Sequence, residues 1–293
     1  MERDQRMVQI EEGVDSLEQK TIFTTDELAV LLATVNYGDV AARVSNGKYE
    51  SLKVKELDGI FDAAVNQLRM KGIWDEEKHQ LQMNPVREET MMVLSMLAEA
   101  PFYITISDFF QDRLLVLHYV NYDKWLHQYV IDDEIHEFQL MDEEAIPEII
   151  KGFYGFAFSS ETVESASFYL DNKSFDLLHQ PKKLKKIVKR FKGTEGEKES
   201  FDTFVKDLSA CNHSVDNITV FMKDKHSTVK PVNTTAFVRG QDGGVWMSRY
   251  EHDKNPPLKF FQAKEDVWED MLNDVLQYTQ SLINETTTLQ TGK

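Results

Sequence analysis

Residues 102–141 read FYITISDFFQDRLLVLHYVNYDKWLHQYVIDDEIHEFQLM. Four runs rich in β-branched and aromatic residues stand out: Phe102–Ser107, Arg113–Val120, Lys124–Ile131 and Glu134–Met141. The polar connections Asn121-Tyr122-Asp123 and Asp132-Asp133 are of hairpin size, so the segment reads as a four-stranded meander. Asp142-Glu143-Glu144 then put negative charge where a helix N-terminus favours it. Ile146, Ile149, Ile150 and Phe153 continue at helical spacing.

The same order returns near the end of the chain. Asn217–Lys223, Asn233–Arg239, Val245–Tyr250 and Leu258–Gln262 read as strands, with Asp242-Gly243 as a tight turn. Lys264-Glu265-Asp266 open a last helix whose apolar stripe is Val267, Met271, Val275 and Tyr278. Trp125–Ile131 of the first set corresponds to Val245–Tyr250 of the second. The pattern predicts an α+β fold: a central antiparallel sheet flanked by helices, in a quasi-two-fold arrangement of two helix-then-meander halves. It predicts a single domain over 1–293, pseudo-repeats at 1–155 and 156–284, and a disordered Thr-rich tail at 285–293.

Helical segments precede each meander. A weak strand at Met7–Glu12 leads to Thr24, which forms a capping box with Glu27. Leu28, Leu31, Leu32 and Val35 follow at helical spacing up to Gly38. A second helix covers Val54–Lys71, with Leu57, Ile60, Phe61, Ala64, Val65 and Leu68 as its stripe and Gly72 as its stop. Ile73-Trp74 and Leu81–Met83 suggest a small hairpin, and Asn84-Pro85 the start of a third helix. In the second half, helices are expected near Ser160–Asp171, Pro181–Phe191 and Ser200–Ala210.

Composition narrows the function. The net charge is −17, with 33 Lys and Arg against 50 Asp and Glu, which disfavours neutralising the phosphates of a nucleic acid. Cys211 is the one cysteine, which excludes a disulfide within the chain and fits a reducing compartment. No apolar run approaches the ~20 residues of a membrane helix. The expected location is the cytoplasm.

No catalytic motif appears: G-x-S-x-G, H-E-x-x-H and C-x-x-C are all missing. No cofactor or catalytic residue is assigned. The sharpest candidate is a histidine set. If both polar connections of the first meander are two-residue loops, His118 stands opposite His127, and His136 diagonal to it, enough for a zinc site. A one-residue change in either loop sends these side chains to different faces, where they are ordinary sheet histidines. Trp125 and Trp246 begin equivalent strands, and with Tyr129 and Tyr250 they are candidate partner-binding residues. Lys182, Lys183, Lys185, Lys186, Lys189, Arg190 and Lys192 form a basic run opposite Leu184, Ile187, Val188 and Phe191. It reads as a solvated helix face paired with acids of this chain, or as a docking spot for an acidic partner segment.

Two segments carry a resemblance. Phe23-Thr24-Thr25-Asp26-Glu27-Leu28 and Leu68-Arg69-Met70-Lys71-Gly72-Ile73-Trp74, with the repeated strand-then-helix layout, resemble the EspG-type ESX secretion-associated proteins. The acidic, glycine-poor composition is similar to their Gram-positive, EsaE-like relatives. The resemblance implies a cytosolic type VII secretion chaperone. Such a protein binds a secreted toxin or its small helical export partner and delivers it to the secretion machinery, with no membrane insertion of its own. The short Asn121-Tyr122-Asp123 connection departs from the extended binding loop of that family. Two alternatives remain: a winged-helix regulator built on residues 24–100, and a metal-dependent enzyme built on His118, His127 and His136.

Overall fold

The computed structural model describes residues 20–291 apart from 46, 50, 122–123, 157, 159–165 and 224–227, with side chains up to Leu282. The strand expected at Met7–Glu12 lies outside the described residues. Ten strands form an antiparallel sheet. The fold is α+β, as the alternation of helical and strand patterns requires. No helix among the described residues is long and apolar enough to cross a membrane.

The chain divides into two compact units. The first comprises residues up to Ile104, Arg113–Glu144 and Met222–Val229. It opens with β1 (Thr21–Thr24), α1 (Thr25–Thr34), α2 (Gly38–Val44), α3 (Val54–Met70), α4 (Glu76–Gln80) and α5 (Glu88–Glu99). The meander follows as β2 (Phe102–Asp108), β3 (Arg113–Asn121), β4 (Lys124–Ile131) and β5 (Ile135–Asp142). The Thr24 hydroxyl accepts from the Glu27 amide while the Glu27 carboxylate accepts from the Thr24 amide, the reciprocal box read from the sequence. Glu27 is fully buried, and Lys71 from the end of α3 donates to it at 2.6 Å. That pair ties the start of α1 to the end of α3. Leu28, Leu31, Leu32, Ala64, Leu68 and Leu94 pack with Leu126 and Phe138, so α1, α3 and α5 cover one face of the meander.

Local details differ from the sequence reading. Trp74 and Val86 form a single bridge around α4 in place of a hairpin, and α5 begins at Glu88. Asn84 accepts instead from the Val86 amide, closing a local turn. A winged helix would require the hairpin as its wing. Gly38 begins α2 after a left-handed Asn36 ends the preceding turn.

The second unit comprises Thr105–Asp112, Ala145–Phe221 and residues from Lys230 on. Its elements are α6 (Ile146–Tyr154), β6 (Phe168–Leu170), α7 (Asn172–Phe175), α8 (Pro181–Arg190) and α9 (Glu195–Ala210). They continue with β7 (Asp216–Lys223), β8 (Val229–Arg239), β9 (Val245–Tyr250), β10 (Leu258–Ala263) and α10 (Glu265–Thr291). Part of the helix expected at Ser160–Asp171 is strand β6, which pairs antiparallel with β10; Ser160–Ser165 lie outside the described residues. Each meander therefore has an extra strand on its fourth: β1 on β5 and β6 on β10. The final helix runs to Thr291, beyond the end at 284 read from the sequence. Its buried side is Trp268, Leu272, Val275 and Thr279, one residue on from the expected stripe over most of its length.

Alternation along β8 divides this unit into layers. Val238 packs with Trp246 and Phe260, and with Leu184 of α8 and Phe201, Phe204 and Leu208 of α9. Its neighbour Phe237 points the other way, 5.1 Å from the Trp268 ring of α10 and 4.9 Å from the Tyr154 ring of α6.

Candidate functional site

The helix α3 is amphipathic, but only its C-terminal half is well covered. Ala64 and Leu68 are buried, Leu57, Ile60 and Val65 half-buried, and Phe61 and Val54 are 40 % and 74 % exposed. Beside it lies an open cavity of ≈ 440 Å³, lined by Asp26, Leu52 and residues Glu56 to Gln67 of α3. The lining positions Glu56, Gly59, Ile60, Ala63, Ala64 and Gln67 follow i, i+3, i+4 spacing, so they form one face about three turns, or ~17 Å, long. Its floor is Gly59 and Ala63. A Cβ on Gly59 would have nothing within 4 Å. Glycine inside a helix costs roughly 1 kcal/mol relative to alanine. No packing among the described residues requires it there. What it provides is an approach to the backbone between the apolar side chains of Leu52 and Ile60. The wall is acidic: Asp26 is held by Lys48 at 3.0 Å and by the Tyr49 hydroxyl at 2.7 Å.

The three histidines do not converge. A β-bulge between Tyr119 and Asn121 sets His118 opposite Leu126 and His127 opposite Leu117. The next connection takes three residues, with Asp132 and Asp133 both left-handed, so His136 stands opposite Val130 rather than Tyr129. Both departures shift register by one residue and turn His127 to the opposite face. His118 and His136 share the helix-covered face, with Gln128 between them. His118 Nε2 lies 2.9 Å from Gln128 Oε1, Gln128 Nε2 lies 2.9 Å from His136 Nδ1, and His136 Nε2 lies 3.0 Å from Thr25 Oγ1. Burial lowers both imidazoles to about 4, so both are neutral at pH 7. Among the described residues, no three His, Cys, Asp or Glu side chains are grouped to hold a metal ion.

The candidate anchors also move. Trp125 and Trp246 are 0 % and 1 % exposed, and each indole N–H points to a carboxylate: Glu143 at 3.3 Å and Asp207 at 2.7 Å. Trp125 packs against the rings of Phe102 and Tyr119, and Trp246 against Phe168 and Phe204, so they are core residues rather than docking anchors. Tyr129 is half-buried opposite Leu115 and Glu137. Tyr250 is 48 % exposed, with its ring 4.7 Å from that of His252.

The sequence reading missed a buried ionic group in the second unit. Arg239 donates to both oxygens of Asp108 and lies 2.9 Å from Asp216 through Nε. Phe109 and Gln111 amides donate to Asp216 and Asp108, and the ring of Phe110 lies 5.5 Å from the guanidinium. Burial, partly offset by Arg239, raises Asp216 to about 6. These residues are far apart in sequence, so no local spacing signals them. They join strand ends β2, β7 and β8, which is a structural task.

The architecture and the trough define an α+β protein with an open groove of mixed apolar and acidic lining along α3. The chain belongs to the family described as uncharacterised protein YfjC, whose sequence model matches residues 42–274. The match includes α3 and both meanders. No curated protein matches the chain.

Proposed function

We propose that this chain is a non-catalytic binding protein that holds an amphipathic helix of a client along the trough of α3. In the form suggested by the EspG-type resemblance, it is a cytoplasmic chaperone of type VII secretion, and the client is an exported toxin or its small helical partner. One observation carries the reading. Gly59 lines a three-turn trough, at a cost in helix stability that no contact among the described residues offsets. A helix laid there gains close backbone approach over Gly59 and Ala63 and apolar contact with Leu52 and Ile60. The exposed Glu56 along the trough suits a client helix flanked by Lys or Arg.

Co-expression of the full chain with each small helical protein encoded beside it tests the proposal. One of them should co-purify in fixed stoichiometry, be lost with Ala63→Arg, and be retained with Lys55→Ala. Failure of every neighbour to co-purify, or capture undiminished by Ala63→Arg, overturns the reading.

A further inference from the structure

Two helices of the second unit carry charge of one sign. The helix α8 contains Lys182, Lys183, Lys185, Lys186, Lys189 and Arg190 and no acidic residue. The helix α10 contains Glu265, Asp266, Glu269, Asp270 and Asp274 near its start and no basic residue along its length. All of these side chains are exposed. Among the described residues, none of the α8 cations makes an ion pair, which corrects the expectation that the acids of this chain neutralise them. On α10, Glu265 pairs with Lys151.

The fold keeps the two helices from meeting. Leu184 anchors α8 on the sheet face of Val238, Trp246 and Phe260. Trp268 anchors α10 on the opposite face, against Phe237. A cationic helix and an anionic helix thus lie on opposite sides of one sheet layer, and among the described residues Glu265 alone of these charged side chains has an ion-pair partner.

We propose that the chain associates with copies of itself head to tail, α8 of one copy against the acidic face of α10 in the next. Sign and length both match, since ten helical residues span about 15 Å on either side. A wide polyanion fits less well. A nucleic acid or an anionic bilayer complements α8 alone, whereas a second copy supplies a complement to both α8 and α10. The apolar side of α8 is also turned into the core, with Leu184 buried and Ile187, Val188 and Phe191 packed against it, so it has nothing to insert into a bilayer. Because donor and acceptor faces differ, each contact leaves one of each free, and the assembly is a ring or an open chain. This inference uses the second unit alone and stands apart from the α3 trough.

Sedimentation velocity of the full chain tests it. At about 0.01 M salt, where the Debye length is ~30 Å, the average mass should rise with concentration; at about 1 M, where it is ~3 Å, it should not. At high salt the mass should be that of the 34.0 kDa monomer. The charge-reversed variants K182E/K185E/K189E and D266K/D270K/D274K, with folding checked by circular dichroism, should each be monomeric alone. Mixed in equal amounts they should associate again, because every contact is once more between opposite signs. A wild-type chain that is monomeric at every salt and concentration overturns the proposal, whether or not the variants fold. So does association that survives both reversals, or a monomer that instead sediments with phosphatidylserine vesicles or shifts duplex DNA.

Discussion

Gln128 donates from its side-chain nitrogen to Nδ1 of His136 across 2.9 Å, and this contact fixes the protons of a buried line. Thr25 spends its hydroxyl proton on the Asp133 carbonyl at 2.8 Å, so it can only accept from His136 Nε2. Gln128 Oε1 then accepts from His118 Nε2. Both imidazoles carry their proton on Nε2. The line ends at His118 Nδ1, a buried acceptor without a hydrogen-bond partner among the described residues.

Acid should therefore destabilise the fold through these two residues. Their folded pKa values, about 4, lie below the ordinary 6.5. The unfolded chain takes up protons first, so stability is full above about pH 6.5 and falls as pH drops toward 4. Each histidine contributes a loss on the order of 3 kcal/mol at the acid end. Asp216 works in the opposite sense: its folded pKa of about 6 lies above 3.8, so the folded state gains as pH falls through the same interval. Urea midpoints from pH 7.5 to 4 should drop more steeply in Asp216→Asn than in wild type, and less steeply in His136→Gln.

The two aspartates around Arg239 should not be equivalent. Asp108 is fully buried and takes two bonds from the guanidinium, so Asp108→Ala leaves Arg239 with Asp216 alone and should cost about 3 kcal/mol. Asp216 already holds its charge at a cost. Asp216→Asn should cost about 1 kcal/mol or less at pH 7. Equilibrium denaturation of both variants distinguishes them, and equal losses would contradict the unequal roles.

Stability and binding should separate at Gly59. Its Cβ position is empty, and its backbone shows no left-handed angle, so Gly59→Ala should raise stability by about 0.5–1 kcal/mol. The larger Gly59→Leu should also fold but obstruct the trough. Thermal unfolding with client co-purification measures both effects on the same preparations.

Cys211 should be a slow nucleophile. Burial raises its thiol above the usual value, with Arg239 only partly opposing, and the thiol points to the Arg239 carbonyl at 3.5 Å. Alkylation by iodoacetamide at pH 7.5 should be at least about tenfold slower than for a free thiol and recover in urea. Fast alkylation of the native chain would show that this environment is open.

Local chemistry was the legible part of this sequence. The Thr24–Glu27 box, both meanders and the turn at Asp242-Gly243 follow from side chains acting on nearby backbone, and Gly243 is left-handed as that turn demands. Strand β6 was illegible because three residues have no periodicity; β10 beside it makes Phe168–Leu170 a strand. The histidine geometry failed on two single-residue irregularities that no turn motif announced. The burial of Trp125 and Trp246 depends on aromatic neighbours brought in from other elements, which local spacing does not specify. Gly59 carried no signal in the sequence, because a glycine within a helical segment gains meaning only from the open space beside it.

The bulge at Val120 also decides which shortened chains would still fold. The ladder passes from Asn121 to Tyr119 with Val120 as the extra residue. Omitting Val120 would leave Leu117 and Leu126 on their present sides of the sheet. Omitting any one residue between Leu115 and Tyr119 without that bulge being absorbed would turn part of β3 over, sending core leucines to the wrong side. Tolerance to deletion in this strand is therefore concentrated at one codon.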